Sequence, residues 1–380
     1  MQIRTVQYEE GKGWSDVVPS GLDSDQTLLL IFGTSFFGNH SELSKLINQF
    51  PSSKIIGCST GGEIMGLDVF DNSLIATAVK FAKTELRQVT IKVSDFESPY
   101  SGGEKLGAKL NSIDLRGIFV LSDGLTAAGS ELLAGINSQI SSSIPVTGGL
   151  AADQISPGST WVLDSDGPTS NCIAAIGFYG DRVKIGHGSR DGLDILGIEQ
   201  RITKSKGNQL FEIDGKPALS LYKKYLGEKA LDLPKAAINF PISIRSDLKS
   251  EKRVIRSVMG VNEESQSMSF AGDIPEGTMV RLMLANPDRV IDGASEAAMM
   301  TEQYGATSEN VLSIAISCIG RRWMLGDRIT EELEASLEGM PEGTRQIGFY
   351  SFGEICPYSV GKSDFQNQTM TLTTISEEID

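Results

Sequence analysis

One supersecondary unit recurs along this chain, and a recurring unit restricts the fold more than any single motif does. In the first copy a continuous apolar run from Thr27 to Phe32 ends at Gly33-Thr34-Ser35, and Ser41 to Phe50 carries Leu43, Leu46, Ile47 and Phe50 at helical spacing. A short strand from Lys54 to Gly57 follows, ending in Cys58-Ser59-Thr60-Gly61-Gly62-Glu63-Ile64. After a polar turn at Asp71-Asn72 a new strand runs from Ser73 to Phe81.

The same order returns near the C-terminus: strand Val311 to Ser317, then Cys318-Ile319-Gly320-Arg321-Arg322, an acidic helix from Asp327 to Leu337, and a strand from Gln346 to Ser351. That strand ends in Phe352-Gly353-Glu354-Ile355, so Gly62-Glu63-Ile64 and Gly353-Glu354-Ile355 hold equivalent places before the alternating strand Met370 to Ile375. A middle copy has strand Gly117 to Leu121, helix Ser130 to Ile140, strand Pro145-Val146, the turn Thr147-Gly148-Gly149-Leu150 and strand Cys172 to Phe178. Its glutamate is missing. A fourth, weaker copy runs from strand Thr278 to Leu284 into a helix from Pro287 to Gln303.

Apolar strands alternating with helices predict a mixed α/β (α+β) fold whose sheets are covered by helices. Four units are expected to pair into two related lobes, residues 1–200 and 201–380. The join falls in Ile185 to Gly227, where Asp214-Gly215 reads as a hairpin turn and Pro217 to Leu226 as a helix. A chain of 380 residues has room for two such cores.

Charge and composition exclude several functions. Lys plus Arg total 34 against 49 Asp plus Glu, a formal charge of −15, with no basic cluster. That balance opposes nucleic acid and anionic membrane surfaces. The longest apolar stretch, Leu28 to Phe37, is interrupted by Gly33, Thr34 and Ser35 and falls short of the roughly 20 residues that span a bilayer. Met1 to Trp14 lacks the apolar centre of a secretion signal, so the expected location is the cytoplasm. Cys58, Cys172, Cys318 and Cys356 lack paired metal-site spacing and read as reduced thiols at strands.

Each enzyme-like string meets an objection. Gly57-Cys58-Ser59-Thr60-Gly61 matches a nucleophile elbow at Ser59, but the glycines and turn formers behind it oppose the helix an elbow needs. Gly361-Lys362-Ser363 resembles the end of a phosphate loop, yet Cys356 stands where its first glycine belongs. Cys318 beside Arg321 and Arg322 is a candidate nucleophile if the cations favour its thiolate. With only His40 and His187, a histidine-rich metal site is excluded by counting; His40 reads as a helix start, and the glycines around His187 suggest an accessible imidazole. Glu63, Glu354 and Arg321 stand beside apolar strand ends, where Arg321 pairing with Glu354 or a solvated rim would each accommodate their charge.

Ile56-Gly57-Cys58-Ser59-Thr60-Gly61-Gly62-Glu63-Ile64, Gly148-Gly149-Leu150-Ala151-Ala152-Asp153, Cys318-Ile319-Gly320-Arg321 and Gly348 to Pro357 together resemble the FIST family, in the family's order. The resemblance implies a sensory, small-ligand-binding role in bacterial signalling and no enzymatic activity. No output segment is recognisable, so it implies action on a separate histidine kinase or cyclic-dinucleotide enzyme, with homo-oligomerisation left open. One stand-alone subgroup, similar in length and in Arg201 to Asn208 and Gly215 to Leu219, consists of haem-based nitric-oxide sensors. By that likeness His187 would be an axial haem ligand. The alternative is an amino acid or similar polar metabolite held by Arg321 and strand-end groups at Glu63, Gly148, Gly149, Cys318, Tyr350, Gly353 and Glu354. A hydrolase or transferase using Ser59 or Cys318 is the third reading.

Overall fold

The computed structural model describes residues 1–124, 129–154, 158–164, 167–250, 252–302, 310–357 and 362–378. Gly361, in the phosphate-loop resemblance, and Gln303, at the end of an expected helix, lie outside them. The fold is of the expected mixed class, with strands covered by helices. Thr27–Gly33 is buried at every position, which is why its sequence reads as an unbroken apolar run rather than an alternation.

Three sheets share one strand plan. In the first sheet, parallel strands Thr27–Gly33 and Lys54–Ser59 are followed by antiparallel Ser73–Lys80 and Gln2–Glu9. The second sheet repeats this with Leu115–Ser122, Val146–Leu150, Cys172–Tyr179 and Glu85–Lys92. The third uses Leu312–Cys318, Arg345–Ser351, Met370–Glu377 and Val183–Arg190. Gly57, Gly148 and Gly348 mark the same point: a Cβ there would lie 2.3, 1.8 and 1.8 Å from the carbonyl oxygens of Ile31, Val120 and Ala315 on the parallel neighbour. The turns leading into the third strand of each plan also match, with Asn72, Asn171 and Gln368 all at positive φ of 55–57°.

Each unit gives a hairpin to the next sheet. Glu63–Met65 leaves the first unit to pair with Arg345–Ser351 of the third sheet. Glu354–Pro357 leaves the third unit to pair with Val146–Leu150 of the second, and Val162–Asp164 leaves the second to pair with Lys54–Ser59 of the first. The exchange closes into a ring. By register, Ile64, Leu163 and Ile355 are equivalent, so the middle copy's missing glutamate corresponds to Val162.

Alternate side chains of the three sheets meet in a single core, with Leu28, Leu30 and Phe32 of the first packed among Phe119, Ala174 and Phe178 of the second and Ile314, Ile316 and Phe349 of the third. The opposite faces bury helices, as where Leu29 and Ile31 meet Leu43 and Leu46. The core therefore crosses the expected lobe boundary at residues 200 and 201. Three units build it, where the repeat count gave four in two lobes.

The apparent fourth copy has a different origin. Strand Met279–Ala285 belongs to a fourth, nine-stranded sheet, while helix Pro287–Glu302 packs on strand Val183–Arg190 of the third. A domain inserted between that strand and that helix brings two unrelated elements together in sequence. The insert has its own core, including Ile202, Leu219, Tyr222, Phe240 and Ile242. The expected Asp214-Gly215 turn is present at positive φ, and helix Ala218–Leu226 follows it.

Candidate functional site

The exchanged hairpins create three junctions between neighbouring sheets. At the first-to-third junction, Arg322 donates through Nη1 and Nη2 to the two carboxylate oxygens of Asp71 at 2.8 and 2.7 Å, and through Nη1 to the Gly61 carbonyl at 2.5 Å. Gln154 bonds the same two residues. At the second-to-first junction the buried Trp161 indole donates to the Ser35 carbonyl at 2.9 Å and lies where a Gly38 Cβ would stand, 2.8 Å from the ring. Both spaces are filled.

The third-to-second junction holds a cavity of about 1140 Å³. Cys318, Ile319 and Trp323 form the third-sheet wall, Gly129, Ser130 and Leu150 the second-sheet wall, and Phe352, Phe365 and Asn367 come from the lead-in to the exchanged hairpin, the hairpin itself and the turn after it. The inserted domain covers it with Lys235, Ile238, Phe240, Val258, Met259 and Asp273 among others. A concave, largely apolar space with a few polar groups, at a boundary between domains, is the usual form of a small-molecule site. Asn367 is 1% exposed; its Oδ1 accepts from the Ser257 backbone N–H at 3.4 Å, and its Nδ2 has no hydrogen-bond partner among the described residues. A buried amide left with unused donors suits a site that waits for an acceptor.

Of the residues singled out from sequence, Cys318 lines this cavity. Burial, then the nearby Glu354, push its thiol far above the usual range, which opposes the thiolate expected from its arginine neighbours. Arg321 does not pair with Glu354. It is fully buried and its Nε donates to Glu332 at 2.6 Å, while its Nη atoms donate to the carbonyls of Asp191 and Val290 at 2.7 Å each. Those carbonyls lie on the two stems of the inserted domain. Ser317 and the Tyr350 hydroxyl also donate to Glu332, so Arg321 and Tyr350 are committed to an internal network and offer no grip on a carboxylate ligand.

Glu63 and Glu354 are buried equivalents with equivalent donors. Glu63 accepts from Thr60, from Ser73 at 2.7 Å and from Thr34; Glu354 accepts from Ser351 at 2.6 Å and from the Thr369 N–H and hydroxyl at 3.1 and 3.0 Å. Burial pushes both carboxyls up to about 7. They secure the exchanged hairpins at their starts. In the second unit Asp123 accepts from the Thr160 hydroxyl at 2.7 Å and from the Asn171 N–H, a carboxylate in the same region from a different position. Gly148 and Gly149 are interior strand residues, and a Cβ on Gly353 would press on the Phe365 ring.

The glycines flanking His187 admit a helix rather than a ligand. A Cβ at Gly186 or Gly188 would lie 2.8 or 1.8 Å from the carbonyl oxygens of Thr301 or Ala297 in helix Pro287–Glu302. His187 points to the opposite face with Ile185, which packs on the central core, and burial lowers its pKa to about 4. It is absent from the cavity wall, so the residues present do not fit a haem held by His187. His40 caps helix Ser41–Asn48, its Nδ1 accepting from the Glu42 N–H at 3.2 Å. Ser59 is fully buried with its Oγ accepting from the Trp161 N–H, and strand Glu63–Met65 follows in place of an elbow helix.

Asn367, Ser130 and the insert's contribution escaped the sequence reading. Aligning the three turns Asp71-Asn72, Ser170-Asn171 and Asn367-Gln368 would have exposed Asn367 as the counterpart of the paired Asp71. No helix among the described residues is long and apolar enough to cross a membrane.

An uncharacterized protein of Methanocaldococcus jannaschii is 25% identical over 339 residues, which cover 81% of this chain and 63% of that longer protein. Among solved structures, a cyanuric acid hydrolase from A. caulinodans aligns with 78% of this chain and 100% of its own at 9% identity, with a TM-score of 0.18. The FIST N domain model matches residues 27–216 and the FIST C domain model residues 218–357. FIST domains are associated with signal transduction and sensing. The chain belongs to the FIST family.

Proposed function

We propose that this chain is a ligand sensor, not an enzyme, and that its ligand occupies the cavity between the three-sheet body and the inserted domain. The observation that carries the reading is that this junction stays open while the other two are filled by Arg322 with Asp71 and by Trp161. A ligand there touches both bodies at once, so its binding free energy acts on their relative placement, as a sensor requires. The altered surface would be read by a signalling protein, a histidine kinase or a cyclic-dinucleotide enzyme. The buried state of Ser59 and the raised thiol of Cys318 favour sensing over nucleophilic catalysis.

A metabolite screen by thermal shift, run on the native chain and on Gly320→Leu, tests the site. Gly320 lines the cavity, and leucine would occupy it. Compounds that raise the Tm of the native protein and not of the variant support the reading; hits that stabilise both equally place the site elsewhere. Ferric haem belongs in the screen, read by its Soret band with and without nitric oxide. The expected outcome for His187→Ala is unchanged ligand binding, because the imidazole does not line the cavity.

A further inference from the structure

We infer that the cavity accepts an amphiphile, with an anionic oxygen group seated at Asn367 and Ser130 and an apolar body extending toward Trp323 and Met259. This rests on the cavity being the ligand site and adds the class of ligand.

The wall of the cavity carries two hydrogen-bond donors, Asn367 and Ser130. Asn367 lines the wall, and its buried Nδ2 has no hydrogen-bond partner among the described residues. Ser130, near the start of helix Gly129–Gln139, also lines the wall, and its oxygen accepts from Arg256 Nη2 at 3.4 Å, which leaves its own hydrogen to donate.

Arg256 is the unusual group. It is 4% exposed and has no ion pair among the described residues; its guanidinium bonds the carbonyls of Ile255, Phe365 and Asp273 and lies 5.6 Å from the Phe365 ring centre. Burial lowers its pKa to about 10, which leaves it cationic at neutral pH. The Asp364 carboxylate nearby is engaged by Lys252. Along the wall itself Lys229 and Lys235 offset Asp232 and Asp273, so the cation behind Ser130 tips the local balance positive in a chain of charge −15. Asp364 and Asp273 act on this cation without forming an ion pair with it among the described residues, and a buried cation so placed favours an incoming anion more than a solvated one does, since little water screens it.

The outer end is apolar. Trp323 and Met259 line the cavity yet are 64% and 66% exposed, and Leu231, between cavity residues Lys229 and Asp232, is 88% exposed. Leu150, Ile319 and Phe352 add further apolar wall. The volume of about 1140 Å³ exceeds what a single amino acid would fill and suits an extended hydrocarbon or ring system.

Calorimetric titration with dodecanoate and with dodecanol, below their aggregation concentrations, tests the class. Dodecanoate is expected to bind the native chain at least tenfold more tightly than dodecanol, the scale of hydrogen bonds to a charged group. Asn367→Asp keeps the oxygen that accepts from Ser257 and replaces the free donor by an anion. It is expected to weaken dodecanoate at least tenfold and to change dodecanol less than twofold. Ser130→Ala, on a partly exposed side chain, gives the same direction with less risk to folding. Equal affinity for the two amphiphiles, or dodecanoate binding indifferent to both substitutions, overturns the anionic preference and leaves the cavity as the site. Absence of binding by either amphiphile also overturns the proposal, while compounds sensitive to Gly320→Leu would still uphold the site itself.

Discussion

The first-to-third and third-to-second junctions are built from equivalent hairpins and have opposite contents. In the first, Gly62 leaves room for the Arg322 guanidinium, which closes on Asp71; in the second, the equivalent Gly353 leaves room for the Phe365 ring, and Asn367, the counterpart of Asp71, faces a cavity. The backbone frame is shared, and a handful of side chains decide whether a junction is a seal or a site. One short helix, Ile319–Leu325, serves both: Arg322 goes to the seal, Trp323 to the cavity, and Arg321 into the body.

The severest break in the contrast is Arg321→Leu. It strands the buried Glu332 carboxylate and frees the carbonyls of both insert stems, and the expected cost is about 3–5 kcal/mol in urea unfolding. If ligand binding depends on the insert's placement, affinity should fall as well, whereas an unchanged affinity in the folded variant would separate the stems from the site.

Next in size is a pH effect common to both junctions. Glu63 and Glu354 titrate near 7 when folded, against an ordinary value of 4.5, so the folded state holds protons that the unfolded chain has released. Their contribution to stability is therefore full below about pH 4.5 and is lost as pH rises through 7, on the order of a few kcal/mol for the two together. Glu63→Gln with Glu354→Gln should flatten the change in unfolding free energy between pH 5 and 8, by roughly that amount. An unaltered slope would mean that other groups carry it.

The equivalent glycines sharpen the comparison further. Gly62→Ala places a Cβ 2.2 Å from Arg322 Nη1 at a φ of +134°, and should cost about 1–3 kcal/mol. Gly353→Ala meets the end of the Phe365 ring at 2.3 Å, beside open space, and should cost less stability while altering cavity binding. Equal costs would show that Phe365 is as fixed as Arg322. The smallest effect expected is from Arg322→Ala, about 1 kcal/mol, because Asp71 is half exposed and the pair is partly hydrated.

Much of the body was legible in the sequence. The buried strand Thr27–Gly33 announces itself as an apolar run and Leu312–Cys318 as an apolar segment broken only by Ser313 and Ser317, and the match of Gly62-Glu63-Ile64 with Gly353-Glu354-Ile355 proves to be one between equivalent hairpin starts. The exchange itself left no local sign, because pairing Glu63–Met65 with Arg345–Ser351 depends on residues more than 280 positions apart. Helical proximity explains the error at Arg321: Glu354 looked available from the repeat, while the actual partner, Glu332, lies on helix Ile329–Glu338 among apolar neighbours. His187 misled because glycines that open one face to a helix look, in sequence, like glycines that expose a side chain.

The ring of exchanged hairpins also bears on how the chain is made. During synthesis the first sheet cannot acquire its outer hairpin until residues 162–169 have emerged, and the second must wait for Glu354–Pro357. Glu63–Met65 pairs within its own hairpin with Asp68–Phe70, but its other side stays an open edge until strand Arg345–Ser351 appears, some 280 residues later. Such late, distant pairing slows folding and leaves nascent edges open to other chains. The same lateness means that a truncated or interrupted product leaves at least one sheet without its exchanged hairpin.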